Sequence, residues 1–312
     1  MASIISGMAF VRLSAPDLDR MEAFLTDFGM VRAHRDERRL YMRGAGATPY
    51  LHVTEKGEAG AIGFAYHVDG MAALEAAVSR GDADRIEDLD GPGGGRRVRM
   101  RDPNGCCVEL VCGRAEIAAE PPRPAVRPPD GISRRVGAAR VIRIAHTATM
   151  TPKPVETLAW YQEKLGVIPT DELFIGNRDN VLGQFDRLDR GEELVDHHIV
   201  FVIRGASAGM HHVSYQVEGI DDIFFGFDHM EKGGQDHVRG IGRHALGSQI
   251  FDYWMSPFNQ MHEHWFSTEK MNAESGMNYV QIGEGMVHDT GAPPPERFVK
   301  QATPYLGWPG ER

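Results

Sequence analysis

Met210-His211-His212-Val213-Ser214-Tyr215 opens, and Ser256-Pro257-Phe258-Asn259-Gln260-Met261-His262-Glu263-His264-Trp265 closes, the segment around which the chain is organised. His211 to Val217 and Met261 to Phe266 read as strands, with a further strand around Ile250 to Tyr253. A helix from Ile220 to Lys232, stopped by Gly233-Gly234, separates the first strand from the others. A histidine and a carboxylate this far apart in sequence can share a site only if folding lays them on adjacent strands. Working outward, the same signals recur earlier. Asp102-Pro103-Asn104-Gly105 with Glu109 repeats Ser256-Pro257-Phe258-Asn259 with Glu263 at the same spacing, and Val68-Asp69-Gly70 repeats Val217-Glu218-Gly219. Phe24 to Gly29 likewise matches Tyr161 to Gly166. Such self-similarity marks a duplicated architecture.

Taken in order, the first copy reads as a strand at 8–13, a helix opened by Pro16-Asp17 and ended at Gly29, and strands near 39–42 and 50–53. A second unit follows: a strand at 62–68, a helix at 71–80, and strands near 97–100 and 106–112. The second half repeats this with a strand at 141–149, a helix at 155–165, and strands at 184–187 and 198–202. The expected class is α+β, with two domains of two tandem βαβββ modules each. We expect a first repeat domain over residues 1–117 and a proline-rich linker over 118–140. A second domain over 141–269 and a tail packing on it over 270–312 complete the division.

Composition narrows the partners. The chain has 312 residues, a net charge of -10 and no apolar run long enough to span a bilayer. No basic face stands out for nucleic acid, so a small-molecule partner and a cytoplasmic, membrane-free protein are expected. Cys106, Cys107 and Cys112 read as reduced core residues. Of 14 histidines, only His34, His52 and His67 precede residue 145, which assigns any histidine chemistry to the second half.

Duplication allows the copies to be compared position by position. Opposite His146 the first copy has Phe10 if Pro16 is matched to Pro152, or Ala9 if the helix ends are matched. Opposite His212 it has Gly63, and only Glu109 and Glu263 agree. His146, His212 and Glu263 could therefore hold a metal that the first copy cannot. Two imidazoles and one carboxylate with open positions suit non-haem Fe(II), and Mn(II) by the same ligand preference. Strand alternation turns His211 to the opposite face from His212, and turns His262 and His264 away from Glu263. Glu109 reads as a relic.

With those residues in place, the chain resembles the type I extradiol ring-cleaving catechol dioxygenases of the vicinal oxygen chelate superfamily, over both domains. The resemblance implies strands curled into an open barrel around a metal held by His146, His212 and Glu263. It implies catalytic roles for His197, fifteen residues before His212 and favoured over His198 by spacing, for His244 and for Tyr253. It further implies an aromatic diol substrate, O2 as co-substrate and a homo-oligomer. The family's usual Asp-Pro-x-Gly turn reads Ser256-Pro257-Phe258-Asn259 here; Asn tolerates the positive-φ position that Gly holds. A glyoxalase-like metal lyase or isomerase of the same fold and a non-catalytic binder of aromatic ligands are the alternatives.

Overall fold

The structure, a computed structural model, describes residues 2–122, 137–283 and 289–309. The first module is β1 (Ile5–Ala15), α1 (Leu18–Asp27), β2 (Val31–Arg35), β3 (Arg39–Arg43) and β4 (His52–Lys56). The second is β5 (Gly60–Val68), α2 (Met71–Ser79), β6 (Glu87–Asp88), β7 (Arg96–Arg101) and β8 (Cys107–Cys112). The third is β9 (Val141–Thr151), α3 (Pro154–Leu165), β10 (Ile168–Phe174), β11 (Val181–Arg187), a short β12 (Val195–Asp196) and β13 (Val200–Arg204). The fourth is β14 (Gly209–Val217), α4 (Ile220–Lys232), β15 (Asp236–Arg243), β16 (Ile250–Met255) and β17 (Met261–Phe266). Local chemistry sets these limits. Asp17 caps α1 by accepting from the backbone N–H groups of Asp19 and Arg20, and Gly166 ends α3 in the left-handed conformation.

Strand order shows the duplication directly. The first sheet runs β6-β7-β8-β5-β1-β4-β3-β2, and the second runs β15-β16-β17-β14-β9-β13-β11-β10 in the same sense. In each half two modules join edge to edge through an antiparallel pair, β1 with β5 and β9 with β14. The register answers the choice left open between Phe10 and Ala9. Glu109 pairs with Ala65, which pairs with Phe10; Glu263 pairs with Ser214, which pairs with His146. Phe10 therefore occupies the His146 position, and Gly63 the His212 position. No side chain could be carried at Gly63, because a Cβ there would lie 1.7 Å from the Cys107 carbonyl oxygen.

One apolar core runs through both halves, joining Phe24, Phe28 and Met42 to Val141, Tyr215 and Trp254. Polar contacts lock the seam. Tyr215 Oη lies 2.9 Å from His52 Nδ1, His264 Nε2 donates to the Phe28 carbonyl at 2.6 Å, and Gln260 Nε2 donates to the carbonyls of Ser14 and Gly60 at 2.8 and 3.0 Å. His262 and His264 thus face away from Glu263, as alternation requires, and pack against the first half. Cys106, Cys107 and Cys112 are buried, and none forms a disulfide among the described residues. Asn259 adopts φ 58°, the positive value its turn needs.

The chain around 118–140 was read as a linker; residues 123–136 lie outside the described residues. Before them, Ile117 and Glu120 donate backbone hydrogen bonds to the carbonyls of Ala47 and Ala45. The tail packs on both halves. Its early part adds β18 (Lys270–Met271) beside β12 and β19 (Asn278–Gln281) beside β10, and a short helix α5 (Glu296–Val299) follows. Beyond it the tail crosses to the first half, where Pro304 and Leu306 bond to Ala61 and Trp308 packs on Ile62 and Cys107. Tyr305 stays in touch with the second half, its Oη 2.8 Å from Thr149 Oγ1. Among the described residues, no helix is long and apolar enough to cross a membrane.

The first half's counterpart of the candidate site is filled by protein. Arg12 Nε lies 2.9 Å from Glu109 Oε1 and its Nη1 2.8 Å from Glu55, while Arg97 Nη1 lies 2.9 Å from Glu109 Oε2. Burial would raise the Glu109 carboxyl, but these guanidinium groups outweigh it and hold it below its usual range. Glu109→Gln should lower the unfolding free energy by about 3–5 kcal/mol, since it strands a buried Arg12 without its main counter-charge. Chemical denaturation at neutral pH checks this. Because the folded pKa lies below the unfolded one, that stabilisation is complete above the unfolded carboxylate pKa and is lost as pH falls through the folded value.

Candidate metal centre

His146 on β9, His212 on β14 and Glu263 on β17 come from three neighbouring strands. His146 and Glu263 sit level across Ser214, a small residue that leaves room between them. His146 Nε2 lies 3.3 Å from His212 Nε2 and 3.2 Å from Glu263 Oε2, and His212 Nε2 lies 3.5 Å from the same oxygen. All three are buried, and among the described residues they are the one group of three potential ligands that converges, within 4.8 Å.

Neither carboxylate oxygen of Glu263 has a well-formed hydrogen bond. A buried carboxylate facing two imidazole lone pairs is unfavourable without a cation among them. Two nitrogens and an oxygen, with no thiolate, fit Fe(II) or Mn(II) by donor chemistry. Burial would raise the Glu263 carboxyl, but His146, His244 and His212 outweigh it and hold the group well below its usual range.

A bulge between Met210 and His212 breaks the simple alternation of β14. The expectation that His211 faces the opposite side is corrected by it: both His211 and His212 line the same cavity. His211 Nδ1 lies 2.7 Å from His212 Nδ1, and its Nε2 lies 2.9 Å from the Phe298 carbonyl. A carbonyl can only accept, so His211 Nε2 carries a proton and its Nδ1 accepts from His212 Nδ1–H, an assignment made from the network. Burial pushes His211 down to about 4, which keeps the ring neutral. His212 Nε2 is thereby left as the lone pair for a metal. His211→Leu should weaken metal affinity about 10–100-fold, the usual size of losing such a partner, measured by competition with a chelator.

The adjacent pair His197-His198 repeats this arrangement and reverses the expected choice between them. His198 lines the cavity, with its ring 4.2 Å from the His146 ring. His197 turns outward, its Nε2 2.8 Å from Asp171 Oδ2 and its Nδ1 3.0 Å from His198 Nδ1. Burial would raise Asp171, but its hydrogen bonds to His197 and Asn278 outweigh that and hold it ionised. Asp171 Oδ2 therefore accepts a hydrogen bond from His197 Nε2–H, His197 Nδ1 accepts from His198 Nδ1–H, and His198 Nε2 is left bare. Burial first, then the nearby His146, pushes His198 well down, so its ring is neutral. Turning the Gln249 amide would give its unpartnered Oε1 the same Nδ1–H at the 3.4 Å position now held by Nε2.

His244 and Tyr253 are also on the cavity wall. His244 Nε2 lies 3.0 Å from Tyr253 Oη and 3.8 Å from Glu263 Oε1, and its Nδ1 lies 3.1 Å from Asp289 Oδ2. Burial alone would lower His244, but Asp289 and Glu263 outweigh it and raise the ring. Burial, with Glu263 adding, pushes the Tyr253 phenol well up, so it stays protonated and can donate. All six residues singled out in the sequence thus lie in one region, five of them on the cavity wall or at the triad and His197 one layer behind. Sequence reasoning missed Asp171, Arg239 and Asp289, which no motif marks, and the tail residues Ile282 and Phe298 that close the cavity of about 270 Å³.

The family model described as the Glyoxalase/Bleomycin resistance protein/Dioxygenase superfamily matches residues 143–258. Within that superfamily its likeness runs to the extradiol dioxygenases. It is 24% identical to metapyrocatechase 2 of Cupriavidus necator over 296 residues, 92% of this chain and 89% of that one. Among solved structures, the homoprotocatechuate 2,3-dioxygenase of Brevibacterium fuscum in complex with 3,4-dihydroxyphenylacetate matches with a TM-score of 0.82, at 20% identity over 98% of this chain and 95% of that one. The Mn(II)-bound glyoxalase of Novosphingobium aromaticivorans matches with a TM-score of 0.78, at 21% identity over 95% and 94%. These structural likenesses establish the fold.

Proposed function

We propose that the protein is an Fe(II)-dependent extradiol dioxygenase, with Mn(II) as the alternative metal. It opens the ring of a substituted catechol or trihydroxy-aromatic beside the diol and incorporates both atoms of O2. The observation that carries this reading is the unpartnered Glu263 carboxylate facing His146 and His212 at the floor of a cavity walled by His198, His244 and Tyr253. Held by His146, His212 and Glu263, a divalent iron would offer open positions to both diol oxygens, favour their anionic form and provide a route for electrons from the diol to O2.

The chain's own groups supply the proton handling. His198, neutral with Nε2 bare, takes a proton from a substrate hydroxyl and holds it for return as the ring opens. His197 and Asp171 fix the His198 tautomer and ring angle. Tyr253 donates a hydrogen bond to one diol oxygen, and His244, anchored by Asp289, holds the neighbouring hydroxyl. Apolar side chains from β11, β13 and the tail keep bulk water from this cluster. We place the enzyme in the cytoplasm as a homo-oligomer, which sedimentation of the purified protein tests.

Protein loaded anaerobically with Fe(II) and given catechols should consume one O2 per ring and form a yellow ring-opened product. No O2 uptake across catechol, alkylcatechols, dihydroxybiphenyl and trihydroxytoluenes, with metal bound, would overturn the proposal. The likeness to a Mn(II)-bound glyoxalase favours an isomerase as the second reading, although the first half offers Phe10 and Gly63 where such a site would draw further ligands.

A further inference from the structure

Resting on the dioxygenase reading, we infer that the substrate's ring substituent is uncharged and apolar, an alkyl or aryl group, and that carboxylate-bearing catechols are rejected. The inference comes from the cavity wall away from the triad. Phe185 and Phe201, stacked with ring centroids 4.0 Å apart, continue into Ile203, Leu246, Ile282 and Phe298. A substituent leaving the diol in this direction meets hydrocarbon, and a carboxylate placed there would lose its hydration with no donor to replace it.

Among the described residues, the one lysine or arginine on the wall is Arg239, and its charge is already engaged. Its Nη2 lies 2.8 Å from Asp289 Oδ2, and its guanidinium packs over the rings of Phe251 and Phe298 at 4.6 and 5.1 Å. Asp289 is fixed in turn by the His244 ring and the Ala245 backbone N–H, at 3.1 and 3.0 Å. Burial would raise Asp289, but His244 and its other partners outweigh it and hold it ionised. A substrate carboxylate approaching Arg239 would therefore have to displace an ionised aspartate already bonded to three groups, and would meet like charge in doing so.

The wall is shared between segments of the chain that the sequence keeps far apart. Phe185 lies on β11, Phe201 and Ile203 on β13, while Ile282 and Phe298 come from the tail. The substituent pocket is thus assembled by the tail closing over the third module.

Two measurements test the inference on Fe(II)-loaded protein. First, kcat/KM for 3-phenylcatechol or 4-propylcatechol should exceed that for 3,4-dihydroxyphenylacetate by at least about a hundredfold, since differential burial of a few carbons alone gives roughly 10–200-fold. Second, the anaerobic Kd of the same compounds should rank the same way, which reads binding without turnover. Ile203→Lys, which adds a cation to the wall and leaves the triad untouched, should shift the ratio toward the acid by about tenfold or more. Equal or better use of the acid by the unaltered protein would overturn the inference, and so would an Ile203→Lys ratio that does not move. Absence of turnover with every catechol would instead count against the dioxygenase reading, and the anaerobic Kd ranking would still decide the substituent.

Discussion

Glu263→Gln is expected to strip the protein of its metal and of ring cleavage together. In the proposed site three side chains would hold the ion, and Glu263 is the one that would supply negative charge. Losing it should weaken affinity by more than the 10–100-fold typical of outer partners, and the residual bis-imidazole site fixes no third position. Metal content by emission spectroscopy and O2 uptake by both proteins check the expectation. Glu263→Gln protein that retains stoichiometric iron would remove Glu263 from the ligand set.

The second large effect belongs to His198. His198→Gln should lower kcat by about 10²–10⁴, the range for removing a positioned acid-base group, with metal content and anaerobic catechol Kd unchanged. Gln can reach the cavity and keep a hydrogen bond, but it cannot take up and return a proton near neutral pH. His197→Leu should cause a smaller fall, because His198 stays on the cavity wall and loses only the partner that fixes its tautomer. Single-turnover kinetics separates binding from chemistry. Wild-type turnover in His198→Gln would move the proton role elsewhere, and a larger loss in His197→Leu than in His198→Gln would reverse the order argued above.

The preference for His197 over His198 shows where sequence reasoning stops. Spacing to His212 counts residues along the chain, but these two lie in the irregular link between β12 and β13, where no period of two fixes the facing. His211 failed for a related reason: alternation is a property of unbroken ladders, and one extra residue in β14 turns two neighbours to one side. The helices were legible because their ends carry capping chemistry at Asp17 and Gly166. Strands such as β2 and β15 were not, since exposed Val31–Arg35 and Gly-containing Asp236–Arg243 lack an alternating apolar face. The triad itself was readable because one copy could be set against the other at His146, His212 and Glu263. The substituent pocket was not, because its walls come from segments that share no pattern and meet only in the folded chain.

Arg12 and Arg97, set against Glu109, give the duplication a further meaning. Each half buries a glutamate at the equivalent position of its own sheet, and in the first half its countercharge is part of the polypeptide. The second half delegates that countercharge to an ion that can leave. One half is therefore self-sufficient from the moment it folds, and the other depends on supply from its surroundings. Scarcity of iron would act on this protein twice, by silencing the chemistry and by loosening the half that performs it, and the abundance of the folded chain becomes a readout of the metal available to it.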